Sequence, residues 1–133
     1  MKGLALAPQP SDITGGTMET PFVRGMSMNE VKTKDDINGF LKEMLRQYGW
    51  DTEIAWSILD CESKGDPNAH NFSDITRDDS WGLFQINLYG ELAKERPSSE
   101  WLKIPENNIQ FAYEIYKVQG WYAWENCLQL TYK

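Results

Sequence analysis

Apolar residues recur at helical spacing in three stretches of the chain. Between Thr33 and Gly49, residues Ile37, Phe40, Leu41, Met44, Leu45 and Tyr48 fall on one face. Thr33 followed by Asp36 makes a capping-box pattern, with Asp in place of the usual Glu, and Gly49 supplies a stop. A second helix is predicted to start at Asp51, a good N-cap, and to close at Gly65 and Pro67. Its stripe reads Ile54, Ala55, Ile58 and Leu59, and the next position on that stripe is Glu62. A third helix opens near Pro105, which suits the first helical position, and carries Ile109, Ala112, Tyr113 and Tyr116 on one face up to Gly120.

The segments between these helices read differently. Residues 66–79 are a polar loop, and residues 80–87 read as a short strand or a tight irregular segment in which Gly82 marks close backbone approach. Residues 90–95 are predicted as a short helix stopped before Pro97, and an aromatic cluster at 121–124 leads into a short tail. Residues 1–32 are rich in Pro, Gly, Ser, Thr and Met and show no period. They read as an N-terminal arm or irregular lead-in, packed in part through Phe22 and Val23, ahead of a domain spanning 33–133. The expected fold class is mainly α: an α+β helical domain with at most a small β-sheet around residues 70–88.

Composition narrows the function. A chain of 133 residues fits one domain with a real core. Six Trp and six Tyr are many for this length, and rings with apolar faces and polar edges suit a sugar-binding cleft. The net charge of −7 argues against nucleic acid and against an anionic membrane surface. No run approaches the roughly 20 apolar residues of a membrane span, and the N-terminal apolar run is too short for the centre of a signal peptide. One histidine, His70, and two distant cysteines, Cys61 and Cys127, cannot build a three-ligand zinc site, so no metal or cofactor is expected. A thiol nucleophile at Cys61 is disfavoured by its acidic neighbours Asp60 and Glu62. The two cysteines either form a bridge tying the second helix to the chain's end or remain buried thiols.

Glu62 is the residue that stands out. It lies on the apolar face near the helix C-terminus, where desolvation and the negative end of the helix dipole both disfavour a charged carboxylate. A carboxyl group kept protonated near neutral pH can donate a proton to a glycosidic oxygen. The structural alternative is a partly exposed Glu paired with Lys64 or Arg77.

The order of motifs around Glu62 decides between these. Glu62-Ser63, then Asp66-Pro67-Asn68-Ala69, then Ser80-Trp81-Gly82-Leu83-Phe84-Gln85-Ile86-Asn87 resembles the lysozyme-like superfamily, closest to soluble lytic transglycosylase and goose-type lysozyme domains. The Pro105-Glu106-Asn107-Asn108 helix start and the Gly120–Trp124 run resemble a later block of the same family, so the resemblance covers roughly residues 50–126. It implies peptidoglycan as substrate and Glu62 as general acid, with Ser63 orienting it or the adjoining loop. It further implies that Ser80, Gly82, Gln85 and Asn87 face the acid across a cleft. Gln85 and Asn87 then either bind sugar N-acetyl and hydroxyl groups or stabilise turns, and Gly82 lets a sugar approach the backbone. Trp121 and Trp124 are core residues or sugar platforms; Tyr113, with Tyr89 and Tyr122, is a weaker candidate.

The second carboxylate is the gap in this pattern. Animal-type lysozymes carry an Asp just before the aromatic-Gly pair, where this chain has Ser80. Asp79 is one residue earlier, and a one-residue slip along a strand turns a side chain to the other face. The resemblance therefore favours a lytic transglycosylase, in which Glu62 protonates the leaving oxygen and then serves as base toward the muramic acid 6-hydroxyl, giving a 1,6-anhydro product. A hydrolytic, inverting lysozyme using Asp74, Asp78 or Asp79 to position water is the alternative. A non-catalytic glycan-binding or phage virion protein on the same scaffold is the alternative of another class. A monomer is expected. Delivery to the wall would come by phage lysis, by a virion or by a non-classical export route, with other phage or secretion-system components as further partners.

Overall fold

The computed structural model describes residues 33–131. The expectations placed on residues 1–32, Phe22 and Val23 among them, lie outside the described residues. Helix α1 (Lys34–Leu45) opens on the expected capping box: the Thr33 side chain accepts from the Asp36 N–H at 3.0 Å, and the Thr33 N–H donates to the Asp36 carboxylate at 3.3 Å. It buries Phe40, Leu41, Met44 and Leu45, while Ile37 is exposed. The helix stops four residues before Gly49, because its last turn tightens and the Trp50 indole N–H donates to the Leu45 carbonyl at 3.0 Å.

Helix α2 (Thr52–Ser63) has Asp51 as N-cap, accepting from the Ile54 N–H at 3.0 Å. Ala55, Ile58 and Leu59 form its buried stripe. The chain reverses at Lys64, which takes the left-handed conformation at φ 56°, one residue before the expected Gly65.

Three antiparallel strands follow, β1 (His70–Ser73), β2 (Asp78–Trp81) and β3 (Ile86–Asn87), in the order β1-β2-β3. Register pairs Asn71 with Ser80 and Ser73 with Asp78. Alternation along β2 therefore separates Asp78 and Ser80 from Asp79 and Trp81.

Helix α3 (Leu92–Glu95) falls where a short helix was expected. Helix α4 (Ser99–Leu102) was not foreseen; Ser98 caps it, and it buries Trp101 and Leu102. Helix α5 (Pro105–Gln119) runs as predicted. A 3-10 turn (Gly120–Trp124) then leads into α6 (Glu125–Thr131), where the pattern suggested only a tail. The result is a mainly helical fold with one small sheet, as expected. Its core joins Leu45, Ile58, Leu59, Leu83, Phe84, Leu102, Ile109 and Phe111, all fully buried. No helix among the described residues is long and apolar enough to cross a membrane.

Cys61 and Cys127 form a disulfide that joins α2 to α6 across 66 residues of chain. This removes the free-thiol alternative. Closing a loop of that length is worth about 4 kcal/mol of unfolded-state entropy. Thermal melts with and without reductant should differ accordingly, and a Cys61→Ser/Cys127→Ser variant should melt like the reduced protein.

Candidate active site

Glu62 sits in the last turn of α2, directly beside the bridged Cys61, and faces an open cleft of about 500 Å³. That volume lies in the range of small-ligand sites. The rest of the lining comes from the sheet, through Asn71, Asp78, Ser80, Gln85 and Asn87, and from the α6 entry, through Trp124, Glu125 and Asn126. Burial pushes the Glu62 carboxyl up to about 7, and the nearby Asp78 carboxylate pushes in the same direction. Glu62 forms no ion pair among the described residues, with Lys64 and Arg77 included.

The three loop aspartates have separate fates. Asp78 lines the cleft, and its carboxylate accepts from the Thr76 hydroxyl at 2.6 Å and the Asn87 amide at 3.3 Å. Asp79 points to the other face of β2 and meets His70 Nε2 at 2.7 Å, where the His70 ring stacks on Trp81. Asp74 accepts from the Tyr89 hydroxyl at 2.7 Å, away from the cleft. Of the three, the fold brings only Asp78 to Glu62.

Gln85, Asn87 and Ser63 serve as internal struts. The Gln85 amide donates to the Ala69 and Gly82 carbonyls and accepts from Asn71, holding a left-handed turn at φ 49°. Asn87 accepts from the Asp79 and Tyr89 N–H groups and donates to the Arg77 carbonyl. Both border the cleft, but their polar atoms already serve the turn. Ser63 is buried; it donates to the Leu59 carbonyl and accepts from the Gly65 N–H, closing the helix that carries Glu62. Ser80 is buried on the cleft wall.

Gly82 is buried and permits the close approach expected of it, here by the protein itself: a Cβ there would stand 2.3 Å from Asn108 Nδ2 and 2.6 Å from the Leu102 carbonyl oxygen. Its φ of 78° also favours glycine. Gly82→Ala is expected to cost about 2–4 kcal/mol in denaturant melts, since backbone cannot give way as a flexible side chain would.

Trp121 and Tyr113 are likewise not part of the cleft wall. Trp121 stacks on Trp50 at 5.4 Å, and Tyr113 packs against Tyr48, Trp50 and Tyr116. Trp124 is both core and wall: it is buried, lines the cleft, and donates its indole N–H to the Phe84 carbonyl at 2.9 Å.

Asn108 and Thr76, to which the sequence pattern assigned no role, also shape the site. Asn108, fully buried in α5, accepts from the Phe84 N–H at 2.8 Å and donates to the Trp81 and Leu102 carbonyls at 3.0 Å. Together with Trp124 it clamps the backbone of the Trp81–Phe84 turn, which fixes the sheet side of the cleft lining. A polar residue on the inner face of an otherwise apolar helix was the available signal. Thr76, which orients Asp78, lay in a loop with no periodicity to mark it.

Residues 45–126, more than half of the chain, match the model of a family described as a lysozyme-like domain. No curated protein and no solved structure matches the chain.

Proposed function

Since the chain belongs to the lysozyme-like domain family, whose general activity is glycosidic-bond cleavage in peptidoglycan, we propose that it cleaves the MurNAc–GlcNAc β-1,4 bond with Glu62 as proton donor and Asp78 as its partner across the cleft. The carrying observation is the pairing of these two carboxyl groups in one cleft, with Glu62 raised to about 7. A group with that pKa is protonated in a large fraction of molecules at neutral pH and can release the proton to the leaving oxygen. Asp78, oriented by Thr76 and Asn87, would take a proton from a water as that water adds to the sugar C1. The glycosidic C–O bond breaks, the Glu62 proton goes to the departing oxygen, and a reducing end forms.

The second reading is lytic transglycosylation, which the resemblance favoured. Two observations support it. Ser80 contributes no carboxylate at the position where animal-type lysozymes have one, and a carboxyl near 7 suits a group acting first as acid and then as base. The muramic acid 6-hydroxyl would then replace water. The two readings share Glu62 and differ in what Asp78 does.

The test is release of soluble fragments from purified peptidoglycan by the wild type and by Glu62→Gln. Release by the wild type alone supports the reading. No release by either protein favours a glycan-binding role.

A further inference from the structure

Next to the cleft lies a smaller recess of about 200 Å³, with Gln85, Asn87, Ala123 and Trp124 lining both. Arg96, immediately after α3, lines this recess alongside Leu92, Ile115 and Gln119. Its Nη1 donates to the Asn87 carbonyl at 2.9 Å, and its guanidinium lies 5.9 Å from the centre of the Phe111 ring. Burial lowers the Arg96 pKa, while the Glu95 charge acts the other way without forming an ion pair. Among the described residues no carboxylate pairs with Arg96. A half-buried cation without a counter-ion is costly. The chain does not lack carboxylates: it holds 20 Asp and Glu against 13 Lys and Arg. None of those described forms an ion pair with Arg96.

We propose that this recess is a carboxylate subsite of the glycan cleft, with Arg96 as the cation that anchors a carboxylate carried by the substrate. The inference rests on the cleft being the peptidoglycan site. The guanidinium is planar and presents paired N–H donors that match a carboxylate. The Asn87 bond fixes its orientation, and the partial burial of Arg96 makes the attraction stronger than it would be in open water. Peptidoglycan carries carboxylates in two places: the lactyl group of muramic acid in strands without a stem, and the peptide stem, through its acidic residues and its terminal carboxyl. N-acetylglucosamine carries none.

The test is binding in the full chain carrying Glu62→Gln, so that cleavage plays no part. Three probes are titrated calorimetrically: a muramic-acid disaccharide with a free lactyl carboxylate, the same disaccharide bearing its stem, and a chito-oligosaccharide. Adding Arg96→Gln is expected to weaken at least one carboxylate-bearing probe by roughly ten- to hundredfold and to leave the chito-oligosaccharide unchanged. Arg96→Lys should recover part of the loss. The probe that loses affinity identifies the source of the carboxylate. Methyl esters of the two acidic probes make the same test on the unaltered Arg96 and should bind more weakly than the acids. Equal weakening of all three probes, or esters that bind like acids, would overturn the subsite. Wild-type cleavage without the split between probes would overturn the subsite alone. The split without wild-type cleavage would support the subsite and count against the activity.

Discussion

Glu62→Gln is expected to lower the rate of peptidoglycan cleavage by roughly 10²–10⁴-fold, the usual worth of a positioned general acid, while the protein stays folded. Gln has the same shape and cannot supply the proton. The fold should survive because the wild-type side chain is itself uncharged in about half of the molecules at neutral pH and in most of them below it, its carboxyl standing near 7 instead of the ordinary 4.5. The native state therefore holds a proton between about 4.5 and 7 that the unfolded chain has released. Stability from this group is complete below 4.5 and is lost as pH rises through about 7. The wild type should lose stability across that window, and Glu62→Gln should not. Denaturant melts at the two ends of the window check this; equal slopes for both proteins would contradict the buried, raised carboxyl.

Asp78→Asn is expected to cost roughly 10²–10³-fold in kcat if Asp78 holds the attacking water. It should also move the alkaline limb of the pH profile to lower pH. Wild-type activity should fall as pH rises through about 7, where Glu62 loses its proton. Burial is the larger cause of that value and Asp78 the smaller, so the limb should shift but not return to the ordinary carboxylate range. A variant with near-normal kcat and only the limb displaced would mean that Asp78 tunes Glu62 without handling water, as transglycosylation requires. Rate and limb both unchanged would remove Asp78 from the mechanism.

Much of this was legible before the fold was known, wherever local chemistry decided the outcome. Thr33, Asp51 and Pro105 announced three helices because capping and proline geometry act within one turn. Glu62 was legible because a carboxyl group interrupted an apolar stripe. The side of the strand on which Asp79 falls followed from the two-residue period of a sheet, and Asp79 indeed turns away to His70.

What stayed hidden depended on contacts distant in sequence. For Gln85 and Asn87 the choice between sugar binding and turn stabilisation depended on partners at Ala69, Arg77 and Tyr89 that only the fold brings near. Gly82 looked open to substrate until α5 was seen to press Asn108 against it. Helix α6 carries too few residues to set a period of its own; it is held by the Cys61–Cys127 bridge and by packing on α2. For the same reason the cleft residues Glu125 and Asn126 went unmarked.

The most direct test of the central claim, Glu62-dependent cleavage of the glycan strand, is mass spectrometry of the fragments released from purified peptidoglycan in ¹⁸O-labelled water, with Glu62→Gln alongside. The account predicts reducing-end muropeptides carrying one labelled oxygen, formed by the wild type and absent with the variant. Unlabelled 1,6-anhydro ends would keep Glu62 and replace the water-holding role of Asp78 with transglycosylation. Fragments released equally by wild type and Glu62→Gln would contradict the account.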